Sequence, residues 1–182
     1  MSPEQRTRLL ELARRAVESH LGNVAMPVPI VVDSELSAPR GAFVTMTVSG
    51  RLRGCIGCID SHRPLVDVVM ECAVAAATSD LRFQALTVEE IPHARFQISV
   101  LSVAAPAPDP CGIEPGTHGV IVRSGDLRGV LLPQVATEHG FSREEFLDAA
   151  CLKTGLPAGT WRTGTVVLEV FTAEVFEDPA AS

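Results

Sequence analysis

Hydrophobic residues recur at helical spacing near the start of the chain. Leu9, Leu10, Ala13, Val17 and Leu21 repeat every three or four positions and so line one helical face. Ser2 is placed to cap that helix, Pro3 suits its first position, Gln5 completes a capping box and Gly22 is a natural stop. The pattern then breaks, and the prolines of residues 23–40 predict an irregular connector. At "AFVTMTV" (42–48) the chain turns to β-branched residues, and Ser49-Gly50 signals a hairpin. "RLRGCIGCI" (51–59) predicts the returning strand, with glycines that point to bulges or a close backbone approach.

Further on, Leu65, Val68, Val69, Cys72, Ala73 and Ala76 mark one face of a buried helix within 64–80. "RFQISVLS" (95–102) alternates as a strand, and 104–116 is a proline-rich loop. Residues 118–133 predict a second hairpin, Pro133–His139 a short helix, and Ser142 with Glu145 a capping box that opens a helix through Lys153, ending near Gly155. A long strand closes the pattern at 165–177. Helices and hairpin-joined strands in this order predict an α+β fold, with helices packed on antiparallel β-sheets. At 182 residues the chain suits one domain over 1–182, or two interlocked lobes whose boundaries are not readable.

One stretch echoes another. "SGRLRGCI" (49–56) aligns with "SGDLRGVL" (124–131), sharing Ser, Gly, Leu, Arg and Gly. Each copy follows a β-branched strand and precedes a helical segment. Either both are hairpins built by the same turn chemistry, or the chain holds a duplicated hairpin–helix unit. The second copy has Val130 where the first has Cys55, so the hairpin itself does not require a cysteine.

Composition narrows the function classes. A net charge of −7 argues against a protein that neutralises nucleic-acid phosphates. With no tyrosine and few aromatics, base-stacking platforms are not expected either. No apolar run has the length of a membrane span and the N-terminal stretch lacks a signal-peptide core, so the expected location is the cytoplasm. Five cysteines at irregular spacing then predict free thiols.

Several constellations carry possible chemistry. Cys55 is a potential nucleophile, because a nearby cation favours the thiolate. In a regular strand Arg53 shares its face and is the expected activator. Gly54 and Gly57 leave backbone amides open to an oxyanion. His118, between Gly116 and Gly119, is the best candidate for base or acid. The competing reading is a small buried cysteine beside surface arginines. Cys55 and Cys58 also form a C-x-x-C pair, although no helix starts at the first cysteine as a redox site would want. Cys55, Cys58 and His62 have ligand-like spacing for a catalytic zinc, the weakest of the readings. Asp80 and Arg82 in "TSDLRF" (78–83) are either a helix-end charge pair or the charged wall of a site. Neither glycine-containing stretch of the second half has the spacing of a phosphate loop or dinucleotide fingerprint.

Taken in order, the motifs "GAFVTM" (41–46), "LRGCIG" (52–57), "AAATSDLRF" (75–83), "ISVLS" (98–102), "GTHGVIV" (116–122), "GVLLPQVA" (129–136) and "FLDAACLKTGL" (146–156) resemble those of the AMMECR-type domain family, also called protein A of the AmmeMemoRadiSam system. The resemblance implies an α+β fold in two lobes, with "LRGCIG" lining a cleft. It implies an enzymatic or accessory role beside a Memo-like protein and a radical S-adenosylmethionine enzyme. Adaptor roles discussed for animal relatives keep a binding module as the alternative. Two positions depart from the family pattern: Cys58 stands where relatives commonly carry a hydroxyl, and Leu81 where they have proline. The expected site is therefore Cys55 as reactive thiol, with Arg53, His118 and Asp80 in catalytic roles. Thr45, Gly54, Gly57, Arg82, Phe83 and Gln134 are the expected contacts to a small polar substrate. No cofactor and no resident metal are expected, nor a nucleic-acid or membrane partner. In the alternative, a binding module, Cys55 is a small residue that permits close packing.

Overall fold

The structure is a computed structural model and describes residues 1–28, 33–59, 62–107 and 109–179. The fold is α+β, with antiparallel strand pairs and packed helices. The chain divides into two units: Met1–Leu101 with Glu174–Ser182, and Ser102–Ala173.

In the first unit, helix α1 (Pro3–Leu21) carries the predicted capping box of Ser2 and Gln5. The predicted connector holds a short helix, α2 (Ser34–Ser37), capped by Asp33. Asp33 accepts amide bonds from Glu35 and Leu36, a local polar signal that the proline content obscures. Residues 29–32 of that connector, and Pro108 of the later proline-rich loop, lie outside the described residues.

Strands β1 (Ala42–Val48), β2 (Arg51–Cys58) and β3 (Ala94–Leu101) pair antiparallel, with β1 in the middle. Helix α3 (Leu65–Thr78) and α1 cover one face of this sheet. Val44, Met46, Phe96 and Ile98 point into the apolar core on that side, against Leu9, Val17, Val69 and Ala73. Glu174–Asp178 return to this unit, where the Asp178 amide bonds to the Phe96 carbonyl. The hairpin turn sits on Ser49 and Gly50, both at positive φ, as a tight two-residue loop between right-twisted strands requires.

The second unit begins at Ser102. It opens with the short strand β4 (Ala105–Pro106), and β5 (His118–Ser124) and β6 (Leu127–Leu131) then form the second hairpin. Strand β7 (Val167–Glu177) follows and pairs with both β4 and β5. Helices α4 (Pro133–His139) and α5 (Arg143–Lys153) pack on β5, burying Phe146, Leu147 and Ala150 with Val120 and Val122.

The two echoed segments occupy matching places. Gly54 in β2 sits so close to α3 that an added Cβ would overlap the Ala76 carbonyl. Gly129 in β6 meets the end of α5 in the same way, at Thr154. A hairpin whose returning strand needs a glycine to admit a helix end thus occurs twice. The copies also differ in pairing: the second hairpin pairs without interruption, whereas the first is bulged.

Candidate functional site

The bulge decides the local chemistry. Thr47 pairs with Leu52 and Met46 with Gly54, so Arg53 is the extra residue between them. Strand alternation fails at that point, and with it the expectation that Arg53 and Cys55 act side by side through a regular strand. The Arg53 guanidinium instead takes Glu90, with Nη2 2.8 Å from Oε2, and donates from Nη1 to the Gln84 carbonyl at 2.8 Å. It laces the segment after α3 to β2. Arg53, and after it the Thr87 amide, hold the Glu90 carboxyl below its ordinary range.

Cys55 lies one residue beyond Gly54, opposite Thr45, on the sheet face away from α1 and α3. Its thiol is half-buried, and the Thr45 hydroxyl donates to Sγ at 3.1 Å. The Cys55 main chain points outward from β1, and there the segment after α3 supplies partners. The amide donates to Asp80 Oδ2 at 2.9 Å, and the carbonyl accepts from Arg82 Nη2 at 3.2 Å. An ion pair therefore stands where a neighbouring strand would, and it holds Cys55 in place through both backbone polar groups.

Asp80 is buried and both of its oxygens are saturated. Besides the Cys55 amide it accepts from the Arg82 amide (3.2 Å), Nε (2.9 Å) and Nη2 (2.7 Å). The Arg82 guanidinium, with the Cys55 and Arg82 amides, holds its carboxyl far below the usual carboxylate range, against the opposing effect of burial. Asp80 in turn raises the Arg82 pKa, burial opposes it, and attraction to the Cys55 sulfur adds to the rise. The cation beside the thiol is thus Arg82. Its side chain is 59% exposed, and its guanidinium lies 5.3 Å from the centre of the half-buried Phe83 ring.

The first unit thus brings Thr45, Cys55, Asp80, Arg82 and Phe83 together, with Gly54 admitting the end of α3. Gly57 pairs with Phe43, and a Cβ there would strike the Phe43 ring. His118 and Gln134 belong to the second unit. The His118 Nδ1 accepts the Glu114 amide at 3.0 Å, so the neutral ring carries its proton on Nε2. In that tautomer Nε2–H is a hydrogen-bond donor. Gln134 lies in the first turn of α4, and its carbonyl accepts from the Thr137 hydroxyl.

The C-x-x-C and zinc readings are set aside on geometry. Cys55 and Cys58 are three residues apart in an unbulged stretch and face opposite sides of β2, Cys58 pairing with Ala42 and packing on the core. Among the described residues, no three His, Cys, Asp or Glu side chains converge as metal ligands. Two hollows of about 610 and 580 Å³ in this unit are lined by α1 and by the outer side of α3, and contain none of the expected site residues. No helix among the described residues is long and apolar enough to cross a membrane.

Glu90 escapes the sequence reading, although its signal is present. Thr87 and Glu90 form a capping box at the 3₁₀ turn Val88–His93, and the same carboxylate serves Arg53. The placement of Arg82 beside the thiol has no linear signal, because 27 positions separate it from Cys55.

Comparison with known proteins gives a consistent result. A family model described as AMMECR1 matches residues 10–176. A protein of Methanothermobacter thermautotrophicus is 38% identical over 98% of this chain and 96% of its own length. One from Methanosarcina barkeri is 39% identical over 93% of this chain and 88% of its own. The crystal structure of an uncharacterised protein from Pyrococcus horikoshii superposes with a TM-score of 0.87 at 36% identity, covering 94% of this chain and 90% of that one.

Proposed function

The chain belongs to the AMMECR1 family, and from that premise and the geometry around Cys55 we propose a thiol-dependent enzyme or catalytic accessory acting on a small polar substrate. In this reading Cys55 is the reactive thiol, with the Thr45 hydroxyl on its sulfur and the Arg82 guanidinium on its carbonyl. Asp80 is a positioning residue that fixes both Arg82 and the Cys55 backbone. The Memo-like protein and radical S-adenosylmethionine enzyme implied by the family resemblance are the partners to test.

One observation carries the reading. The Cys55 thiol is aimed away from the helix-packed core, is accessible in part, and has a hydroxyl on its sulfur and a fixed arginine at its own backbone. A cysteine kept only as a small packing residue would face the core, as Cys72 and Cys151 do.

Alkylation by neutral iodoacetamide, resolved by site through mass spectrometry, tests it. Cys55 is expected to label faster than the exposed Cys111 at neutral pH. Arg82→Gln should slow Cys55, whereas Arg53→Gln should leave it unchanged. A Cys55 that labels no faster than Cys111 in the wild-type protein refutes the reactive-thiol reading.

A further inference from the structure

Resting on that reading of Cys55, we infer that Arg82 makes the site selective for substrates bearing an oxyanion, a carboxylate or a phosphate monoester, next to the atom that meets the thiol. The argument is an inventory of donors. A guanidinium has five N–H groups. Nε binds Asp80 Oδ1, and Nη2 binds Asp80 Oδ2 and the Cys55 carbonyl. Among the described residues, no oxygen or nitrogen accepts from Nη1 at hydrogen-bond geometry, and the neighbour the guanidinium has besides Asp80 and the Cys55 carbonyl is the Cys55 thiol itself. Two N–H groups of a cation held in place by Asp80 and the Phe83 ring are therefore left on an arginine whose side chain is more than half exposed.

Preorganisation separates this arginine from an ordinary surface one. A free arginine loses rotamer entropy when it binds an anion, whereas Asp80 and Cys55 have already ordered Arg82. Asp80 occupies the Nε–Nη2 edge of the guanidinium, so its negative charge lies on the side away from an anion that arrives at Nη1. Arg53, by contrast, is held by Glu90 and two carbonyls and offers no comparable edge. The Thr45 hydroxyl donates to the same sulfur. Because the guanidinium is bonded to the carbonyl of Cys55 itself, an oxyanion held by Arg82 has its neighbouring atoms close to that residue.

Two alkylating reagents of nearly equal size read this out. Iodoacetate carries a carboxylate and iodoacetamide a neutral amide. In either reaction the thiolate sulfur displaces iodide from carbon, and the thiol proton leaves to solvent. At Cys55 the iodoacetate-to-iodoacetamide rate ratio is expected to exceed that at Cys111 by about threefold, the scale of one exposed guanidinium–carboxylate pair. Added salt should reduce the excess. Arg82→Gln should bring the Cys55 ratio to that of Cys111, Arg82→Lys should retain part of it, and Arg53→Gln should leave it intact. Acetate and inorganic phosphate, added as competitors, should slow Cys55 labelling, and the one that acts at lower concentration identifies the oxyanion. Equal ratios at Cys55 and Cys111 in the wild-type protein, with Cys55 still the faster thiol toward iodoacetamide, overturn the oxyanion inference and leave the reactive thiol standing. Slow labelling of Cys55 by both reagents overturns the two together.

Discussion

Asp80→Asn removes one negative charge at almost constant volume and therefore isolates what the buried carboxylate does. Four hydrogen bonds converge on it, three from Arg82 and one from the Cys55 amide. Asparagine keeps one acceptor oxygen and turns the other into a donor that faces donors, so about half of these bonds are lost. At a net worth of roughly 1 kcal/mol per bond, and more where a charge takes part, the expected loss at pH 7 is about 2–3 kcal/mol. It is not larger, because the exposed side of Arg82 can recover hydration. The loss should also depend on pH. The folded-state pKa of Asp80 is depressed, so its stabilisation is complete above the ordinary carboxylate value, near 4, and is lost as pH falls from there toward the depressed value. Urea unfolding of both proteins at pH 7 and pH 3 measures this. The wild type should lead at pH 7 and the gap should contract at pH 3, with a slope of at most about 1.4 kcal/mol per pH unit for one group. A gap that stays the same at both pH values would show that the charge of Asp80 does not hold this site together.

Gly54→Ala should destabilise by about 2–3 kcal/mol, since the added methyl meets the Ala76 backbone rather than a movable side chain; thermal melting checks it, and a wild-type melting temperature would contradict the close approach of β2 and α3. Burial pushes the Cys72 thiol up to about 11, so the folded state keeps it neutral while the unfolded chain ionises near 8.5. Stability is then fully present below about pH 8.5 and falls as pH rises toward the folded value. Cys72→Ala should flatten that alkaline decline, and an unchanged slope between pH 8 and 10 would remove Cys72 as its cause.

Legibility in the sequence varies with the range of the interaction. The capping boxes at Ser2 and Ser142 and the hairpin turns depend on residues within a few positions of one another, and the structure has them where the sequence places them. The short helix Ser34–Ser37 is hidden by neighbouring prolines, and the 3₁₀ turn that holds Glu90 is too short to set up an apolar period. The echo between 49–56 and 124–131 is visible as letters. That each copy uses its second glycine to admit a helix end becomes visible only once α3 and α5 are in place.

The sequence by itself determined the fold class, the family, the hairpin that carries Cys55 and the oddity of a cysteine where the second copy has valine. These follow from periodicity, turn chemistry and motif order, all of which are properties of neighbouring residues. Tertiary structure alone decided which arginine lies against Cys55. Period-two alternation pointed to Arg53, but the bulge between Leu52 and Gly54 sent that side chain to Glu90, and the end of α3 brought Arg82 to Cys55 across 27 positions. A bulge resets the face of every residue beyond it, and a contact between distant segments leaves no period to read, so both lay beyond any local pattern.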